Sequence, residues 1–147
     1  MNHTDLSKKI KDLLILKHDD GSYHLFGQYQ ISKDSTELYN VSWKDDPTLS
    51  IKFGQLKYAV TWCVFHKNNK YKDLNKIAEL DETLDSLSMI IDNHKRLAEK
   101  NSDNRPIHLA KLSEDKLRRK QAQKAMDYYV EYSKYWQNKT FKEYTSH

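Results

Sequence analysis

The chain has 147 residues, 37% of them hydrophobic and 31% charged, with 25 Lys and Arg against 21 Asp and Glu and a net charge of +4. That length suits one domain, or one small domain with a helical extension, and the near balance of charges permits an acidic partner without demanding one. No apolar run approaches the roughly 18 residues of a membrane span, Met1 to Gly21 lacks a signal-peptide run, and a single cysteine, Cys63, allows no internal disulfide and fits a reducing compartment.

In chain order, Thr4 caps a short helix carrying Leu6, Ile10, Leu13 and Leu14, or Leu13 to Lys17 forms a first strand; both readings stay open. Asp20-Gly21 is a hairpin turn signal. After it, Tyr23, Leu25, Tyr29 and Ile31 alternate with His24, Phe26, Gln28 and Gln30, which predicts one strand, with Gly27 marking a bulge or a close backbone approach. The polar run Ser32 to Thr36 predicts a loop. Tyr39, Val41 and Trp43 share the face of a further strand, Asp45-Asp46-Pro47 a turn, and Leu49, Ile51 and Phe53 the last strand. The sum is an antiparallel meander of three or four strands with one apolar face, and such a face needs a cover.

Near Gly54 the hydrophobic period changes from two to three or four. From Gln55 to His66, one helical face holds Leu56, Ala59, Val60, Cys63 and Val64, and another holds Tyr58, Trp62 and Phe65. A helix apolar nearly all round is buried on more than one side, so this segment is expected at the centre of the fold. Lys67 to Lys70 ends it. Ile77, Leu80, Leu84, Leu87, Ile91, His94 and Ala98 then make just over three heptads. The polar stretch Asn101 to Asn104 turns the chain, and Pro106 suits a helical first turn. The last helix is expected from about Pro106 to Gln137, with the seam His108, Leu112, Asp115, Arg119, Ala122, Met126, Tyr129, Ser133 and Trp136. Folded back, it places His108 and Leu112 near His94, and Met126 and Tyr129 near Ile77 and Leu80. Beyond Trp136 the chain is polar and is expected to fray, with Phe141 and Tyr144 as anchors.

The fold class that follows is α+β: a small antiparallel β-meander, a buried central helix and a long, coiled-coil-like antiparallel helical hairpin. Residues 1–70 carry the meander and central helix and residues 71–147 the hairpin, packed as one unit.

Chemistry-bearing patterns are sparse. No H-x-x-x-H, C-x-x-C or H-E-x-x-H spacing prepares a metal site. His94 and His108, near Asp92, read as structural histidines. Glu79, Asp81, Glu82 and Asp85 read as a solvated face partly paired with lysines. Cys63 lies among apolar neighbours, where a thiol behaves as a small hydrophobe. No Gly-rich phosphate loop occurs. The expectation is therefore no catalytic residue, no metal, no cofactor, no small-molecule substrate and no enzymatic activity.

Two surfaces remain. Lys111, Lys116, Arg118, Arg119, Lys120 and Lys124 put six positive charges on one stretch of the last helix. They read either as a solvated face with i,i+4 pairs such as Asp115 with Arg119, or as a patch for nucleic acid or an acidic protein. Tyr128, Tyr132 and Tyr135 form a second stripe at i, i+4 and i+7. It is covered by another element of the fold, or it serves as a protein interface, where tyrosine anchors are favoured.

The stretch Phe53-Gly54-Gln55-Leu56-Lys57-Tyr58-Ala59-Val60-Thr61-Trp62, following three strands, resembles the small DNA-binding sheet domains at the N-termini of phage integrases. That resemblance covers Gly21 to Val60 and implies a basic sheet face turned to the major groove. The outward positions here, among them His24, Gln30, Asn40, Ser42 and Lys52, are polar and scarcely basic. Over most of its length the chain also resembles small proteins of marine tailed phages, through Leu56 to Cys63, Glu79-Leu80-Asp81, Leu109 to Leu117 and Ser133 to Gln137. This resemblance implies a phage origin, and with it a place in the host cytoplasm or the virion. The combined expectation is an interaction or assembly protein that self-associates or binds a protein partner. The alternative is a nucleic-acid-binding accessory protein acting through the basic face.

Overall fold

The computed structural model describes residues 15–100 and 103–145, with side chains described through Tyr135. Five strands, β1 (Ile15–Lys17), β2 (Tyr23–Leu25), β3 (Tyr29–Lys33), β4 (Tyr39–Trp43) and β5 (Asp46–Phe53), precede three helices, α1 (Leu56–Lys67), α2 (Tyr71–Lys100) and α3 (Arg105–Thr145). The strands form one antiparallel meander in chain order. The α+β class and the helical hairpin are as expected. The expected helix from Thr4, the seam member Trp136 and the anchors Phe141 and Tyr144 lie outside the described residues or side chains.

The sheet has five strands rather than three or four, because the segment 23–31 is a hairpin and not one strand. Phe26 and Gly27 both take positive φ, 58° and 70°, and the Gln28 amide donates to the Leu25 carbonyl at 3.0 Å. Leu25 then pairs with Tyr29. Residues i and i+4 share a face in a continuous strand, and they share it again when paired across this turn, so alternation cannot tell the two apart. The inward face assignment survives, with Leu25, Tyr29 and Ile31 buried together, but Phe26, expected on the opposite face, is buried with them, because at the turn it leaves the strand alternation. The first turn is as expected, with Gly21 at φ +88° and its amide on the His18 carbonyl at 3.0 Å.

Two other boundaries move. The loop after β3 begins at Asp34, whose Oδ1 accepts from the Thr36 and Leu38 amides at 2.8 and 3.1 Å while Lys52 Nζ lies 2.9 Å from Oδ2. The β4–β5 turn is Lys44-Asp45, with Trp43 opposite Asp46, so Asp46 and Pro47 belong to the strand. β5 is an edge strand, where proline's missing donor is tolerated.

α1 is the central element. It touches β4 and β5 on one flank and both hairpin helices on the other, and buries Tyr58, Ala59, Thr61, Trp62, Cys63, Val64 and Phe65. Asn69 ends it at φ 61°, with the Lys70 amide reaching back to the Phe65 carbonyl at 2.9 Å. This is the left-handed helix ending that asparagine accepts after glycine. One core cluster joins sheet, α1 and hairpin: Ile31, Val41 and Phe53 from the strands, and Ile77, Leu80, Leu84, Met126 and Val130 from the helices. Every apolar member of the α2 heptad is buried. On α3 the expected seam holds at Leu112, Asp115, Met126 and Ser133, and Val130 joins it. The α3 helix begins one residue earlier than expected and continues to Thr145.

Candidate interaction surface

α3 is fixed along its inner side. Met126 is fully buried, Val130 and Ser133 nearly so, and Gln123 Nε2 donates to the Tyr58 hydroxyl of α1 at 3.0 Å. The side turned from this seam carries large side chains in solvent. Tyr128 is 66% exposed, Tyr135 60% and Leu117 58%. Tyr132, between the two tyrosines, is half-buried against Phe65 of α1 at a ring separation of 5.7 Å. Tyr128 lies nearly parallel to it, with centroids 6.1 Å apart and planes 15° off. The stripe thus divides: α1 covers Tyr132, while Tyr128 and Tyr135 are largely exposed.

The basic run divides as well. Lys111, Lys116, Lys120 and Lys124 are exposed, and no carboxylate among the described residues lies within ion-pair distance of them. Arg119 is half-buried and donates through Nε to Ser88 Oγ of α2 at 3.0 Å. The expected Asp115–Arg119 pair is replaced. Asp115 points into the seam, 3.5 Å from His94 Nε2 and 3.8 Å from Arg118 Nη1. An i,i+4 rule places two side chains on one helix face but cannot see a better partner on the neighbouring helix. Of the two acids within this run, Asp115 is therefore withdrawn from its surface and Glu114 stays exposed. Lys116, Lys120, Lys124, Tyr128 and Tyr132 also follow one another at i+4, along a single ridge of α3 with a rise of about 6 Å per step. The row winds by about 40° per step, from one flank of α3 across its outer side to the flank that α1 covers, so the lysine and tyrosine surfaces adjoin at Lys124 and Tyr128.

Other candidates resolve differently. His94 and His108 do meet, with ring centroids 5.8 Å apart, but Asp115 and not the exposed Asp92 is the carboxylate beside them. Among the described residues, no group of three or more His, Cys, Asp or Glu side chains is arranged to hold a metal ion. Burial pushes the Cys63 thiol well above its usual range. The α2 carboxylates Glu79, Asp81, Glu82 and Asp85 are not paired with lysines as expected. None has a Lys or Arg nitrogen within ion-pair distance among the described residues. Asp81 instead accepts from the Gly54 amide at 3.2 Å, and burial with Asp85 and Glu82 close by raises its pKa.

One cluster had no signal in the sequence. His66, at the end of α1, is ringed by Trp43, Trp62, Tyr71 and Tyr29, with centroids 4.6 to 5.5 Å away, and its Nδ1 lies 2.5 Å from the Tyr29 hydroxyl. Burial lowers the His66 pKa. Trp62, His66 and Tyr71 are neighbours in the chain, but Tyr29 and Trp43 come from strands remote from them, so no local spacing announces the cluster. They pin α1 to the sheet. The outer sheet face beside them holds a hollow of about 470 Å³ lined by His24, Gln28, Gln30, Ser42 and Lys44 among others. One lysine among these polar groups is far from the basic face that the integrase-like resemblance implies.

Compared with known proteins, the chain matches no family model, no curated protein and no solved structure. No helix among the described residues is long and apolar enough to cross a membrane.

Proposed function

We propose that this chain is a non-enzymatic interaction protein that assembles through the outer side of α3. The observation that carries the reading is the exposure of Tyr128 and Tyr135 on a helix whose inner side is locked to α1 and α2. A tyrosine presented on a rigid element gives large contact area at little entropic cost, and large apolar groups in solvent mark contact sites. The resemblance to small proteins of marine tailed phages supplies a setting, a structural or accessory component of the particle or of the infected cell. A nucleic-acid reading is the alternative. The unpaired lysines Lys116, Lys120 and Lys124 favour it, since phosphate binding needs cations that no internal carboxylate has claimed.

Sedimentation of the purified protein over a wide concentration range tests the reading. Association is expected in the parent chain. It should be lost in Tyr128→Glu and Tyr135→Glu, because each would bury an unpaired charge at the contact. Both residues are exposed, so melting temperature should hardly change. Tyr132→Glu is a poorer probe, since Tyr132 packs on Phe65. A protein that stays monomeric, retards oligonucleotides at low salt and loses that on reversal of Lys116, Lys120 and Lys124 would establish the alternative.

A further inference from the structure

The charge of the hairpin is sorted by helix. Between Lys76 and Lys95, α2 carries five acids (Glu79, Asp81, Glu82, Asp85 and Asp92) and no Lys or Arg. Between Asp115 and Asp127, α3 carries five cations (Lys116, Arg118, Arg119, Lys120 and Lys124) and no acid. Arg119 bonds to Ser88, so the two bands lie at the same height of the hairpin. They do not neutralise each other. Glu79, Glu82, Asp92, Lys116, Lys120 and Lys124 are all exposed, and none is ion-paired among the described residues.

Each band is repulsive within itself, since like charges at helical spacing destabilise, and each is followed or interrupted by apolar side chains in solvent. On α2 these are Met89 and Ile90, 67% and 43% exposed; on α3 they are Leu117 and Tyr128. Glu79 to Asp92 spans about 20 Å of helix and Lys116 to Tyr128 about 18 Å. The molecule therefore carries, one on each hairpin helix, two exposed bands of similar length, opposite charge and comparable apolar content.

We propose that the partner of the α3 surface is α2 of a second copy of this chain. The inference rests on the assembly reading above and names its occupant. A contact of α3 with α3 would set one cation row against another, whereas α3 on α2 satisfies both bands and covers Met89 with Leu117 and Tyr128. Such a contact is heterologous, using a different patch on each copy, so it repeats. It yields a ring if the rotation closes and a filament if it does not. Charge sets register and encounter rate, and the apolar groups hold the contact.

Paired charge reversals test this. One variant carries Lys116→Glu, Lys120→Glu and Lys124→Glu; the other carries Glu79→Lys, Glu82→Lys and Asp92→Lys. Each alone has two faces of one sign and is expected to sediment as a monomer, while an equimolar mixture restores assembly, because every face again meets its opposite. Parent-chain association should weaken as salt rises. Circular dichroism melts of each variant check that both are folded. Association that persists in either variant, yet is lost in Tyr128→Glu, would overturn this partner and leave the assembly reading standing. A mixture that fails to assemble although both variants are folded and the parent associates would also overturn it. A parent chain that never associates would remove both.

Discussion

The two ends of the helical hairpin are built from the same heptad but live in different surroundings. At one end Ile77, Leu80 and Leu84 meet Met126 and Val130 under α1 and the sheet, in a core three layers deep. At the other, Leu87, Ile91 and Ala98 face Leu112, His108 and Asp115 with no third layer, and lie outside the main core cluster. Sequence period is equal along both; cover is not. A seam between two helices alone leaves solvent within reach of its edges, which is why the ionisable members His94, His108 and Asp115 are tolerated there, whereas the buried polar member of the covered half, Ser133, is a neutral hydroxyl bonded to the Val130 carbonyl. The covered half anchors the fold and carries Tyr128 and Tyr135 on its outer side, while the uncovered half exposes Met89, Ile90 and Leu117.

Core truncation separates the ends most sharply. Ile77 is fully buried, so Ile77→Ala is expected near the upper part of the ~2–5 kcal/mol range for such changes, a large share of a typical ~5–15 kcal/mol total. Ile91→Ala should cost about 2 kcal/mol, because a two-layer site can collapse or admit water. Denaturant melts of the two variants decide the matter, and equal losses would break the comparison. Native-state hydrogen exchange should agree, with amides of 87–98 opening at lower free energy than those of 77–84.

A smaller effect lies in the aromatic ring around His66, which ties the covered half to the sheet. Burial holds the folded His66 below its ordinary value of 6.5, so between those two values the unfolded chain binds the proton more readily. Stability is therefore expected to fall as pH drops below about 6.5. His66→Gln, which keeps an acceptor for the Tyr29 hydroxyl, should flatten that part of the pH–stability curve. An unchanged slope in the variant would assign the acid sensitivity elsewhere.

The smallest change concerns the bond that joins α2 to the end of the sheet. Asp81 is raised by burial and by its acidic neighbours, so its charge at neutral pH opposes folding. Asp81→Asn keeps an oxygen for the Gly54 amide and removes the repulsion with Asp85 at i+4, for a gain of about 0.2–0.5 kcal/mol. A loss instead would mean that the carboxylate's charge strengthens that bond by more than its neighbours cost.

Local pattern carried most of the architecture. The α2 heptad, the buried α1 and the face of each strand follow from the positions of apolar residues, since burial acts on one residue at a time through its place in the period. The hairpin at Phe26-Gly27 did not follow, because its geometry preserves parity. Pro47 likewise reads as a turn until the sheet order makes β5 an edge. The candidate surface was half legible. Its lysines and tyrosines are plain in the sequence, but their continuity needs a helix of known phase, and their exposure depends on what α1 covers.

The sequence by itself determined that a small sheet, a central apolar helix and a heptad hairpin must pack together, because periodicity is a property of residue order. Only the tertiary structure decided which charges remain uncompensated. Asp115 turns inward to His94, Arg119 crosses to Ser88 and Tyr132 lies against Phe65. Each choice is made by a neighbour remote in the chain, and Coulomb and contact energies depend on distance in space, which residue order does not contain.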